Sequence, residues 1–288
     1  MQAAPPYLPG EITDIIISFI PDSDVDIYGS RPGYSSLCSC ALVCRNWLPA
    51  SRHTLFTHVE IRSDEQYALF VSSAICPRPG PSWLLSTRRF SLHGQQWRGL
   101  SIPNAQILFI HELGGQFPNL EELHLQNLEF YMPFVPFPSP RTLAALSAFA
   151  SVRIVVLRSC SFSSFAAARY TITSLPSLTD LTVAQIMWPI ARNTQPPQVL
   201  SFLRSSRRFP FLKRVRRLEI WPREAPCDDQ MLQWLSTTSL DASLADLTVR
   251  GYTNFTTKVT GFWEYAGSFV TRLRIWGIYV EGILNDST

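Results

Sequence analysis

One pattern limits what this chain can fold into more than any other: an apolar residue, two free positions, an apolar residue, one free position and a third apolar residue, recurring through most of the 288 residues. It stands at Leu120, Leu123 and Leu125; at Val152, Val155 and Leu157; at Leu178, Leu181 and Val183; at Val215, Leu218 and Ile220; at Leu244, Leu247 and Val249; and at Val270, Leu273 and Ile275. A weaker copy at Phe90 and Leu92 precedes them. The middle positions are separated by 33, 32, 26, 37, 29 and 26 residues, so the repeat is irregular in length. Because the last two apolar positions are two apart, both fall on one face of a short, half-buried strand. Helical spacing fills the intervals at 105–113, 143–149, 199–203 and 231–235, with Pro118 and Pro176 punctuating two of them. One strand and one helix cannot cover their own apolar faces, so neighbouring units must stack.

This arrangement resembles a leucine-rich repeat solenoid, covering roughly residues 86 to 280. The resemblance has a gap: the position three beyond the last apolar residue, where that family often carries Asn or Cys, holds Leu128, Cys160, Ile186, Arg223, Tyr252 and Ile278. Only Cys160 fits, which predicts a loosely regular arc with uneven loops. In a stacked array the strand residues alternating with the core form one continuous surface. Its C-terminal half is richer in Arg and Trp, the residue types enriched at binding hot spots. Target binding is therefore expected at Arg158, Trp221, Arg250, Arg274 and Trp276.

Residues 1–58 break the pattern. Leu8-Pro9-x-Glu11-Ile12 opens a helix with Pro in the first turn, an acid at the positive dipole end, and Ile12, Ile15, Ile16 and Phe19 as an apolar stripe. Pro21 and an acidic stretch containing Gly and Pro end it; a second apolar segment runs from Leu37 to Trp47 as LCSCALVCRNW, trailed by SRHTLF. Together these segments resemble an F-box in the form common to fungal F-box-like proteins. The resemblance implies a small helical module that docks on a Skp-type adaptor, and through it on a cullin scaffold. It also implies an adaptor surface made or supported by Leu8, Pro9, Ile12, Ile16, Leu42, Val43, Cys44 and Trp47. From the residues alone, a unit of about 50 residues exposes more apolar surface than it can cover, which marks either a partner site or the N-terminal cap that a repeat array needs.

Other function classes find little support. Phosphate-binding glycine loops and the common hydrolase motifs do not occur, and the five histidines are dispersed. No cofactor or metal site is expected, since the six cysteines form neither C-x-x-C pairs nor a regular disulfide framework. With 25 basic against 22 acidic residues the net charge is only +3, so any electrostatic recognition is local. The sharpest basic run, Arg204 to Arg223, reads first as a solvated helix and loop, second as a receiver of acidic or phosphorylated peptides, and last as a nucleic-acid contact. Neither a signal peptide nor a membrane span is read, which places the chain inside the cell, in cytoplasm or nucleus.

The expected fold class is α+β: an F-box-like helical module at 1–58, a connecting segment at 59–85, and an irregular leucine-rich repeat α/β solenoid arc at 86–288. The expected function is that of a non-catalytic substrate receptor of a cullin-based ubiquitin ligase, with an unidentified protein target. The alternative is a repeat scaffold whose N-terminal helices are only a cap. Exposure of Ile12, Ile16, Val43 and Trp47 separates the two, because a cap buries these residues against the repeats and an adaptor site leaves several of them on the surface.

Overall fold

The computed structural model describes residues 10–20, 32–74, 83–94, 105–130, 139–189, 214–221, 225–237, 244–250 and 270–276. The helix expected at 199–203, the part of the basic run before Arg214, and Leu8, Pro9, Arg223, Tyr252 and Ile278 lie outside them. The chain is a mixed α/β protein. Three helices come first: α1 (Gly10–Ser18), α2 (Pro32–Val43) and α3 (Leu48–Thr57). The second expected helix thus begins five residues before Leu37, at a proline suited to a first helical turn, and ends before Trp47, which instead precedes α3.

The apolar pattern then becomes one parallel sheet. Its strands are β1 (His58–Ile61), β2 (Arg89–His93), β3 (Glu122–Gln126), β5 (Ile154–Arg158), β7 (Asp180–Ala184), β8 (Arg217–Trp221), β9 (Asp246–Arg250) and β10 (Arg272–Trp276), lying side by side in chain order. β1 falls in the stretch that the sequence reading treats as a connection. Phe56, Val59 and Ile61 in fact carry the same apolar spacing as the repeats, with Phe56 in the leading position at the end of α3. Helices α4 (Asp64–Ala74), α5 (Ala105–Leu113), α6 (Pro140–Ser147), α7 (Phe165–Thr173) and α8 (Ala225–Thr237) occupy intervals between strands. Ser139 and Ser164 cap α6 and α7 by accepting from the amides of Thr142 and Ala167.

Register explains why the sheet holds together. Phe90, Leu123, Val155, Leu181, Leu218, Leu247 and Leu273 are successive cross-strand partners, and the residues two further on form a second row. Both rows are buried from β2 to β9. Each such aliphatic side chain contributes about 1.5–3 kcal/mol on leaving water. Phe90, Phe109 and Phe117 add aromatic contacts beneath β2 and β3, with centroids 5.5 and 6.4 Å from that of Phe90.

The turns leaving β3, β5 and β7 repeat one conformation: Asn127, Ser159 and Gln185 have φ of 54°, 52° and 54°. Leu128, Cys160 and Ile186 follow and are buried. The turns are joined through their backbones, Asn127 donating to the Arg158 carbonyl, Ser159 to Ala184 and Gln185 to Trp221, at 2.7–2.9 Å. Backbone amides thus link successive turns, and Leu128, Cys160 and Ile186 just after them join the core. Gly94 joins the same series by donating to the Gln126 carbonyl, and a β-carbon there would stand 2.1 Å from the Asn127 oxygen, so only glycine fits. Beyond the turns, β4 (Glu129–Phe130) and β6 (Ser161–Phe162) pair in parallel as a second small sheet.

Candidate protein-interaction surfaces

The N-terminal helices are held by few residues. On α1 the buried side chains are Thr13 and Ile17, one turn apart, and the helix packs against α3. The stripe read from the sequence is therefore not the anchored face. Ile12, Ile15, Ile16 and Phe19 remain 44%, 51%, 40% and 79% exposed, while Ile17, outside that stripe, is the residue that fixes the helix. On α2, Leu37 is buried and α2 also packs on α3; Leu42 and Val43 are 87% and 63% exposed. Cys44 is exposed, Trp47 half-buried. Of the eight expected adaptor-surface residues, Leu8 and Pro9 lie outside the described residues; five of the other six are open to solvent. Tyr34, Ile15 and Phe19 extend the same apolar exposure.

Helix α3 ties this unit to the sheet. It contacts both α1 and α2, Phe56 packs on the main core, and the chain passes from Thr57 into β1 at His58 with no intervening residue. The Thr57 carbonyl accepts from the Arg88 amide at 2.9 Å, which pins the junction to the start of β2.

The outer face of the sheet carries its own order. One row is charged on either side of Ile154: Arg89 beside Glu122 on β2 and β3, then Asp180, Arg217, Asp246 and Arg272 alternating in sign from β7 to β10. The Arg89 Nε–Glu122 Oε2 distance is 2.5 Å; Arg217 reaches Asp180 at 3.4 Å and Asp246 at 3.7 Å, and Arg272 reaches Asp246 at 3.5 Å. Arg217, which in sequence belongs to a nearly unrelieved basic run, is thereby flanked by two acids. The row is legible in the sequence, since each of these residues directly precedes the middle apolar residue of its repeat, whereas the expected target-binding residues follow it. At the N-terminal end, hydrogen bonding from His124 and then the guanidinium of Arg89 hold the Glu122 carboxyl down at about 2, against the opposing effect of burial.

The expected target-binding residues converge on a second row. The Arg158 guanidinium lies 5.0 Å from the Trp221 ring centroid; Arg250 lies 5.1 Å from the same ring and 5.8 Å from that of Trp276. Arg158 reaches Trp221 across β7 because the position between them is Ala184, whose small side chain is buried. Glu219 stands beside the stack and accepts at one oxygen, Oε1, from both Arg250 Nε at 2.7 Å and Trp221 Nε1 at 2.9 Å. Trp221 is half-buried, Trp276 58% exposed and Arg250 exposed. Arg274 belongs to the neighbouring row, paired in register with Thr248, and is exposed. Four of the five expected residues thus form one stack, and the fifth stands two residues before Trp276 on β10.

Among the described residues no group of three or more His, Cys, Asp or Glu could hold a metal ion, and no helix is long and apolar enough to cross a membrane. A comparison with models of known families and a comparison with curated proteins both find no match.

Proposed function

We propose that the chain is a non-catalytic substrate receptor of a cullin-based ubiquitin ligase. Helices α1–α3 act as an F-box-like module on a Skp-type adaptor, and the stacked strands act as a leucine-rich repeat solenoid whose open face holds the target. The mechanism is proximity: one end docks the transfer machinery, the other raises the local concentration of the target beside it.

The observation that carries this reading is the exposure of Ile12, Ile16, Leu42 and Val43 on helices anchored through other residues, Ile17 and Leu37. A cap directs its apolar residues onto the array. Here they face solvent, and burial of each against a partner is worth about 1.5–3 kcal/mol, enough together to offset the cost of association. The direct run of α3 into β1 favours a capping role as well, and the two roles use different sides of the helices.

The test is co-purification of the full chain with a purified Skp-type adaptor, beside a Leu8→Ala, Pro9→Ala double variant. Stable binding by the parent and loss in the variant is the expected result. A folded parent chain that does not bind the adaptor leaves the repeat scaffold as the function.

A further inference from the structure

We infer that the Arg158–Trp221–Arg250–Trp276 stack is a receiving site for an extended peptide segment carrying carboxylates at alternate positions. The inference rests on the receptor reading only in taking this face as the one that holds the target.

The argument begins with what stacking leaves free. A guanidinium lying over an indole uses its flat face, while its N–H donors point outward in the plane and suit the two oxygens of a carboxylate. Arg158 and Arg250 both lie about 5 Å from the Trp221 ring, one belonging to a strand before β8 and one to the strand after it. Contact with the ring fixes both side chains before a ligand arrives, so less conformational freedom is lost on binding. Among the described residues no ion pair reaches Arg158 or Arg274, and the buried Nε of Arg158 has no hydrogen-bond partner. Arg250 has one carboxylate already, from Glu219, and so displays the geometry that an incoming acid would adopt.

The surroundings select among anions. Asp180, Asp246 and Glu219 lie on the same face, interspersed with the arginines. A continuous phosphate backbone laid over this face would meet those acids as well as the bases, and a doubly charged phosphate at Arg250 would be repelled by Glu219. Single carboxylates can fall between them. An extended strand directs alternate side chains to one side, at about 3.3 Å of rise per residue, so acids at alternate positions recur about 6.6 Å apart, within the reach of two guanidiniums that each lie about 5 Å from one ring. The exposed Trp276 then offers an apolar surface at the end of the row and Arg274 a further cation near it.

The test uses the full chain and a fluorescein-labelled peptide of five Ser-Glu repeats, read by fluorescence anisotropy at low salt. Comparison probes are the five Ser-Gln repeat, a peptide of five phosphoserine-Gln repeats, and a ten-residue oligothymidylate. The expected result is binding of the Ser-Glu peptide ahead of all three, weakened about tenfold by Arg158→Gln and by Arg250→Gln in chains with unaltered circular dichroism. Arg274→Gln, at an exposed site, is the second variant should Arg158→Gln misfold, and it too weakens binding. Glu219→Gln releases Arg250 and tightens binding, an effect that a purely structural role for Glu219 does not produce. No binding by the folded chain, equal or tighter binding of the phosphopeptide or the oligothymidylate, or indifference to the arginine variants overturns the inference. Because the assay contains no adaptor, its failure leaves the ligase reading standing, and loss of adaptor binding leaves this site standing.

Discussion

The ring of Phe162 lies 4.9 Å from that of Phe130 with the planes 10° apart, and both side chains are fully buried. They belong to the small second sheet, where β4 and β6 carry the turn series onward from the main one. Replacing Phe162 by Ala removes that partner and leaves a cavity, an expected cost of about 3–5 kcal/mol. Chemical denaturation of Phe162→Ala, Phe130→Ala and the double variant checks it. The double variant should lose less than the two single losses combined, because each single change already destroys the shared contact.

A sharp contrast is expected between adjacent residues of α1. Ile17→Ala should lower stability by about 2–5 kcal/mol, since Ile17 is 1% exposed. Ile16→Asp should change it by no more than about 0.5 kcal/mol while abolishing adaptor binding. Melting curves paired with adaptor pull-down distinguish the outcomes. Equal destabilisation by both would mean that the exposed stripe is covered in solution.

The cysteines should separate by reactivity. Burial pushes the Cys160 thiol up to about 12, and its Sγ donates to the Leu125 carbonyl at 3.3 Å, so almost no thiolate exists and no reagent reaches it. Cys44 is exposed. Labelling with a maleimide at pH 7.5 followed by peptide mass analysis should modify Cys44 rapidly and Cys160 only after unfolding.

Acid should weaken the sheet near β3. The Glu122 carboxyl is held at about 2 in the folded chain, below its ordinary value of 4.5. The stability it contributes is present above about 4.5 and is lost as pH falls from there toward 2. Glu122→Gln should flatten that part of the stability–pH curve measured by urea denaturation, with little effect above pH 6 on the slope.

The turns give a test of backbone strain. Gln185 has a φ of 54°, a region that costs a residue with a β-carbon about 1–2 kcal/mol and costs glycine almost nothing. Gln185→Gly should raise the melting temperature and Gln185→Val should lower it. The opposite order would mean that the side-chain contact between Gln185 and Ser159, 3.1 Å from Oγ to Oε1, outweighs the backbone term.

The legible part of the fold was the part governed by local period. Residues such as Leu123 and Leu125 announce a strand because the two-residue spacing and the burial have the same cause. β1 escaped although Phe56, Val59 and Ile61 fit the repeat spacing, because Phe56 lies in the SRHTLF segment, which reads as part of the N-terminal helices. The anchored face of α1 escaped for another reason: when Ile12, Ile15, Ile16 and Ile17 crowd one short helix, periodicity identifies an apolar helix without saying which side meets protein. At the candidate target site the residue types were legible and the stacking was not. Arg158 and Trp221 become neighbours only because Ala184 is small and lies in register between them, a relation among three separate repeats.

The passage from α3 into β1 leaves no free residue to act as a hinge between helices and sheet. A body gripped by α1 and α2 would therefore set the compass bearing of the strand face as well as its distance, and a guest on that face would be presented at a fixed angle rather than swung on a tether. Lengthening the junction by a few glycines would keep both grips and lose the aim.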